Sequence, residues 1–149
     1  MSVLPKMYRH LAWADERTLQ SLRDMPTPPA QALDLFAHIA GAEHEWLSRI
    51  QGRPGKHAIW PKMTVDKCAA LVRENHVELQ KLAEEADGEG GQRMITYRNS
   101  SGAEWTNSLE DILLHLANHG VYHRGQVALL VRASGGKAIG TDYILFMRD

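Results

Sequence analysis

Apolar residues recur along this chain at intervals of three and four, the repeat that sets side chains on one face of an α-helix. The first such stretch runs from Val3 to Met25 through Leu4, Met7, Tyr8, Leu11, Ala12, Leu19 and Leu22. Met25-Pro26-Thr27-Pro28-Pro29 ends it, because proline lacks an amide donor and restricts the residue before it. Ala30 to Ile50 predicts a second helix carrying Leu33, Leu35, Phe36, Ile39, Ala42, Trp46, Leu47 and Ile50, and Gly52, Pro54 and Gly55 break it. Thr64 is placed to cap a third helix, with Lys67 standing where a capping box would have an acid. That helix reaches about Ala86 through Val65, Cys68, Leu71, Val72, Val77, Leu79 and Leu82, and Gly88-Glu89-Gly90-Gly91 closes it.

The period then changes. Arg93 to Tyr97 and Ala103 to Thr106 alternate polar with apolar residues around the turn signal Asn99-Ser100-Ser101-Gly102, which predicts a short β-hairpin. Ser108, with Asp111 three positions on, caps a fourth helix that extends to about Ala133, where Gly135-Gly136 stops it. The tail Thr141 to Met147 is apolar enough to dock on the body as an extended segment or a helical turn. Long amphipathic helices with moderate linkers make this an all-α chain, a four-helix bundle with a small β-hairpin between the third and fourth helices. Its 149 residues are expected to form a single domain over residues 1–149.

Composition narrows the classes. A formal net charge of -1 and the lack of a basic run give no electrostatic reason to expect nucleic acid. The single cysteine, Cys68, rules out an internal disulfide and reads as a packing residue in a reducing compartment. Met1 to Arg9 has no signal-peptide core and no run approaches membrane-spanning length, so the expected address is the cytoplasm, with no membrane partner.

The candidate chemistry lies in the fourth helix. His115, His119 and His123 recur at intervals of four on the side that carries Leu109, Ile112, Leu116, Val127 and Leu130. A ring aimed at an apolar core needs a partner for its polar nitrogens, and one metal ion can serve two rings a turn apart. HxxxH spacing alone is weak in a chain of eight histidines; its weight comes from the apolar side it occupies and from Gly120 and Gly125, read as leaving room beside the helix. An open site needs a third protein ligand, and His38 shares a stripe with Leu35, Ile39, Ala42 and Trp46 of the second helix. Each histidine alone also reads as a core residue bonded to a carbonyl or to Glu45; as a set, His38, His119 and His123 favour metal.

His115 is assigned a supporting place, and His10, His44, His57 and His76 a surface one. Glu43 reads as part of a solvated face. Glu45 and Tyr122 are the candidate helpers, as a base or as a group orienting a ligand imidazole. Trp13 and Trp46 read as core. No GxSxG, phosphate loop or second cysteine is present.

Asn118-His119-Gly120-Val121-Tyr122-His123-Arg124-Gly125-Gln126 resembles the NHGxxHRGQ stretch of the DinB/YfiT-like family of DNA-damage-inducible metalloenzymes. His38-Ile39-Ala40-Gly41-Ala42-Glu43-His44-Glu45-Trp46 is similar to the family's segment in the second helix, and Trp13-Ala14-Asp15 to its W-A-N pattern, with Asp15 in place of asparagine. The hairpin and the tail Asp142 to Phe146 fit as well. The resemblance implies a bundle holding a divalent metal through His38, His119 and His123, often as a homodimer. Zinc, nickel, iron and manganese all suit imidazole ligands. Related members use such a site for thiol-dependent transfer, so a low-molecular-weight thiol and an electrophilic small molecule are the expected partners. The function expected is therefore a metal-dependent thiol S-transferase or hydrolase. The alternative is a non-catalytic stress-response bundle with a structural metal or a partner-binding role, its coordination closed by His115 or Glu45.

Overall fold

The computed structural model describes residues 2–149; Met1, the first residue of the stretch read for a leader, lies outside it. Four long helices, α1 (Val3–Arg23), α2 (Ala30–Gln51), α3 (Val65–Glu85) and α4 (Leu109–Ala133), account for most of the chain. A two-stranded antiparallel hairpin, β1 (Met94–Arg98) and β2 (Glu104–Ser108), separates α3 from α4 and pairs Tyr97 with Trp105. The strands run one or two residues beyond the alternation read from the sequence. The tail ends in a one-turn helix, α5 (Tyr143–Phe146). Among the described residues no helix is long and apolar enough to cross a membrane.

Local chemistry accounts for the boundaries. Thr64 Oγ1 accepts the Lys67 amide at 3.2 Å, and Ser108 Oγ accepts that of Asp111 at 3.1 Å. Acidic Asp66, Glu110 and Asp111 lie in the first turns of those helices, where they complement the helix dipole. At the hairpin tip Asn99 Oδ1 accepts the amides of Ser101 and Ala103 at 3.1 and 3.0 Å, standing in for backbone.

Both α1 and α2 pack against α3 and α4, so the cyclic order round the bundle is α1, α3, α2, α4. The apolar core is in two parts. One, with Tyr8, Leu11, Leu47, Leu79, Leu113 and Leu116, lies towards the hairpin end; the other gathers Leu19, Phe36, Ile39, Cys68, Val72 and Val127. Between them runs a charged layer with a member from every long helix: Asp15, Glu43, Asn75 with His76, and Arg124. Asp15 is fully buried, and its carboxylate accepts Arg124 Nη1–H at 2.9 Å and His76 Nε2–H at 2.9 Å. Burial opposes charge on Asp15, but Arg124 and His76 outweigh it and hold the carboxyl below its ordinary range. Glu43 has no such cation of its own. Burial, and then the charge of Asp15, push its carboxyl well above the usual range; Asn75 Nδ2–H reaches Oε1 at 3.4 Å, and Oε2 is buried without a partner.

Several sequence expectations fail at this layer. Glu43 is buried, not part of a solvated face, and His10 and His44 are buried as well. His76 is engaged by Asp15. Each has a polar partner that periodicity does not reveal: His10 Nε2–H donates to the Thr141 carbonyl at 2.7 Å, and His44 Nε2 accepts the Lys56 amide at 2.9 Å. Trp13 also departs from its reading as core, because its Nε1–H donates to Asp149 and its ring rests on Phe146, docking the tail.

Two outcomes follow from the layer. Arg124→Ala leaves Asp15 buried without its fixed cation and should cost about 3–5 kcal/mol, read from urea unfolding. Glu43→Gln removes a group that binds its proton more tightly folded than unfolded. That group's stabilisation is complete below the unfolded glutamate value of about 4.3 and is lost as pH rises towards the folded value. The variant should therefore lose less stability than the parent between pH 5 and pH 8, measured by thermal unfolding across that range. Asp15 acts oppositely, its contribution being lost as pH falls through its depressed folded value.

Candidate metal centre

Two neighbouring helices bring the predicted ligands together. His38 of α2 is buried, while His119 and His123, one turn apart on α4, are half-buried. Each offers a ring nitrogen, and the three nitrogens lie within 4.8 Å of one another. His38 Nε2 and His119 Nε2 are 3.1 Å apart.

The remaining nitrogens show which atoms are free. His38 Nδ1 lies 2.8 Å from the Ile59 carbonyl, which can only accept, so Nδ1 carries the proton and Nε2 keeps its lone pair. His123 Nδ1–H donates to Gln126 Oε1 at 2.7 Å, which leaves Nε2 as its free atom. The carbonyl of Ile59 reaches His38 because the loop after α2 folds back over Gly41. A Cβ there would meet Ala58 O at 2.8 Å and Ile59 O at 3.0 Å. Trp60, from the same loop, stacks on the His38 ring at 3.8 Å and 5°.

This donor set fits a divalent cation. Two nitrogens bound to one metal at about 2.0–2.1 Å stand about 2.9–3.4 Å apart at bond angles from 90° to tetrahedral, and the observed 3.1 Å falls in that range. Burial, followed by its histidine neighbours, lowers the His119 pKa to about 4. Burial lowers His38 as well, against the pull of its Ile59 contact. Both rings are therefore neutral near pH 7, the form a metal requires. Among the described residues no fourth histidine, cysteine or carboxylate joins the group.

The other residues singled out from the sequence fall elsewhere. His115 is exposed; its ring lies 6.0 Å from that of His119 and 5.5 Å from Trp46. Tyr122 is 66% exposed, with its ring 5.1 Å from that of His123. Glu45 lies two turns along α2 from His38, about 10 Å of axis, and its carboxylate pairs with Arg49 at 3.2 Å. Trp46 packs partly buried on the core beside Tyr97.

The glycines do not leave the room expected beside the histidines. A Cβ at Gly120 would meet Arg124 Nη1 at 2.8 Å, so the space there belongs to the guanidinium of the charged layer, and Gly125 faces open solvent. Ile59, Trp60 and Gln126 were missed. Gln126 carries a readable signal, since three residues after His123 it shares that residue's helix face. The loop residues carry none. A second group of ligand-type atoms, Asp15, Glu43 and His76, is closed by the guanidinium of Arg124 and reads as a hydrogen-bonded charge layer.

The sequence profile of the DinB family matches residues 1–149. A relative from Bacillus subtilis (strain 168), Protein DinB, is 22% identical over 162 aligned residues, covering 95% of this chain and 92% of its own.

The fold-back loop gives a direct check on the centre. Gly41→Ala should displace the Ala58–Ile59 backbone, release His38 Nδ1 and weaken divalent-metal affinity by about 10–100-fold. Competition against a chromophoric chelator measures the loss, and an unchanged helical circular dichroism spectrum separates it from unfolding.

Proposed function

The chain belongs to the DinB family, and from that premise we propose that it binds a divalent metal through His38, His119 and His123 and acts as a metal-dependent enzyme of thiol S-transferase or hydrolase type. The observation that carries this reading is the convergence of the three imidazoles without a fourth protein ligand among the described residues. An open position is what separates a reactive centre from a structural one. Zinc, nickel, iron or manganese would suit the set. When bound, the cation lowers the pKa of a thiol or water beside it and so supplies a nucleophile at neutral pH.

The chain's own groups do the rest. Ile59 and Gln126 hold the rings of His38 and His123 in the tautomers that present Nε2. Trp60 covers one face of His38. Tyr122, exposed with its ring 5.1 Å from that of His123, is the proposed donor of a proton to an arriving substrate. Glu45 is engaged by Arg49 and is given no step.

The sulfur nucleophile must come from outside. Cys68, the one cysteine, is buried, and burial pushes its thiol up to about 11. A low-molecular-weight thiol and an electrophilic small molecule are therefore the proposed substrates, in a cytoplasmic homodimer. The stress-response bundle with a structural metal draws less support, because His115 and Glu45, the residues that would close its coordination, stand apart from the cluster.

Protein purified without a histidine tag should carry a stoichiometric divalent metal. His123→Ala should lower its affinity by more than about 100-fold, and His115→Ala should leave it within a few-fold of the parent. Metal-loaded protein should then accelerate consumption of at least one small thiol by a model electrophile, and His123→Ala should abolish this. Ester or amide cleavage without thiol transfer would select the hydrolase. Inertness in both assays, with a large fall in Tm on chelation, would select the structural metal.

A further inference from the structure

A second concave site lies on the far side of α4 from the histidines. It is a cleft of about 380 Å³ between the first half of α1 and the middle of α4, with Tyr143 of α5 at its edge, and none of the three histidines lines it. That volume is within the range of small-molecule sites. Its walls are apolar, with Val3, Met7, Leu11 and Val121 among them, and Val3 and Val121 are 65% and 55% exposed. Large aliphatic side chains uncovered on both sides of one cleft are not explained by packing within the bundle.

The charge in the cleft has one sign. Lys6 and Arg124 line it, and no aspartate or glutamate does. Lys6 makes no ion pair among the described residues. Arg124 is committed inside the bundle, its side chain 2% exposed and Nη1 bonded to Asp15, so Lys6 is the lining cation open to a ligand. Asn118 adds an exposed amide at the wall. An apolar trough with an unpaired cation at its wall complements a molecule with one anionic head and a short apolar body.

We propose that the α1–α4 cleft binds a small amphipathic monocarboxylate, its apolar body between Val3, Met7, Leu11 and Val121 and its carboxylate towards Lys6. The site is separate from the histidine centre and does not depend on the reaction proposed there.

Octanoate is the probe, titrated calorimetrically, with octanol as the uncharged control of equal chain length. Octanoate should bind saturably and at least about tenfold tighter than octanol, the margin a charge-assisted contact supplies. Lys6→Glu and Val121→Glu, both surface substitutions, should each weaken it at least about tenfold, while His119→Ala should leave it unchanged. Absence of saturable octanoate binding to the parent overturns the proposal. So does octanol binding as tightly as octanoate, or octanoate affinity unaffected by both charge substitutions. A protein that does not bind octanoate and forms a dimer dissociated by Val121→Glu in sedimentation would assign the cleft to self-association and also overturn it.

Discussion

The contact between Asp15 and Arg124 is the constraint on which the rest of the bundle depends. Two fully desolvated charges meet at 2.9 Å, and taking each from water costs several kcal/mol before the pair recovers any of it. Such a pair adds little net stability over well-packed apolar residues. What it adds is register. Asp15 also holds His76 of α3, and Glu43 of α2 lies against it, so one layer draws on every long helix. Sliding any helix by a turn would leave a buried charge without its partner, a far larger penalty than the loss of a few aliphatic contacts. The apolar clusters on either side supply the burial energy, and repacking of similar side chains would tolerate several alignments. The charged layer tolerates one.

That alignment reaches the histidines through short stretches of helix. Arg124 follows His123 directly, and at about 100° per residue its anchorage to α1 turns the preceding ring away from α1, towards α2. Gly120 after His119 clears the space the guanidinium occupies, so the glycine serves the layer, and the site benefits only through it. On α2, Glu43 lies five residues past His38 and is held at the same level as Arg124. The height at which His38 meets His119 is thereby fixed by contacts outside the cluster. The 3.1 Å spacing of their Nε2 atoms follows from helices locked elsewhere, as a pre-formed metal centre requires.

The sequence showed the helices, their caps and the three ligands because those features repeat locally. Thr64 and Ser108 cap where they were read, and the two stripes carrying His38, His119 and His123 do face each other. It concealed the charged layer for a reason of principle. A polar residue that interrupts an apolar stripe has the same pattern whether it points to water or to a partner on another helix. Glu43, His44 and His76 were therefore all placed at the surface, and Asp15 was legible only as a departure from a related pattern. Ile59 and Trp60 lie in a loop with no period at all. Their position depends on the missing side chain of Gly41, whose consequence appears only when the chain folds back over it.

The two polar assemblies meet the same difficulty in opposite ways. In the charged layer each of the two committed charges has a fixed partner, and burial and Asp15 raise the surplus carboxyl of Glu43 so that it holds its proton more tightly; the result is closed, with Arg124 in the place a cation would take. At the histidines the outward nitrogens of His38 and His123 are tied to Ile59 and Gln126, and His38 Nε2 meets His119 Nε2 at 3.1 Å. Burial at the edge of the core, and then the neighbouring rings, take His119 down to about 4, so this ring is neutral and able to give a lone pair to a metal. A divalent cation can take the place of the proton that His38 and His119 share and engage all three rings at once. The cluster lies at the rim, beneath Trp60 and beside exposed Tyr122, and is open to solvent in a way that the closed layer at the centre of the same bundle is not.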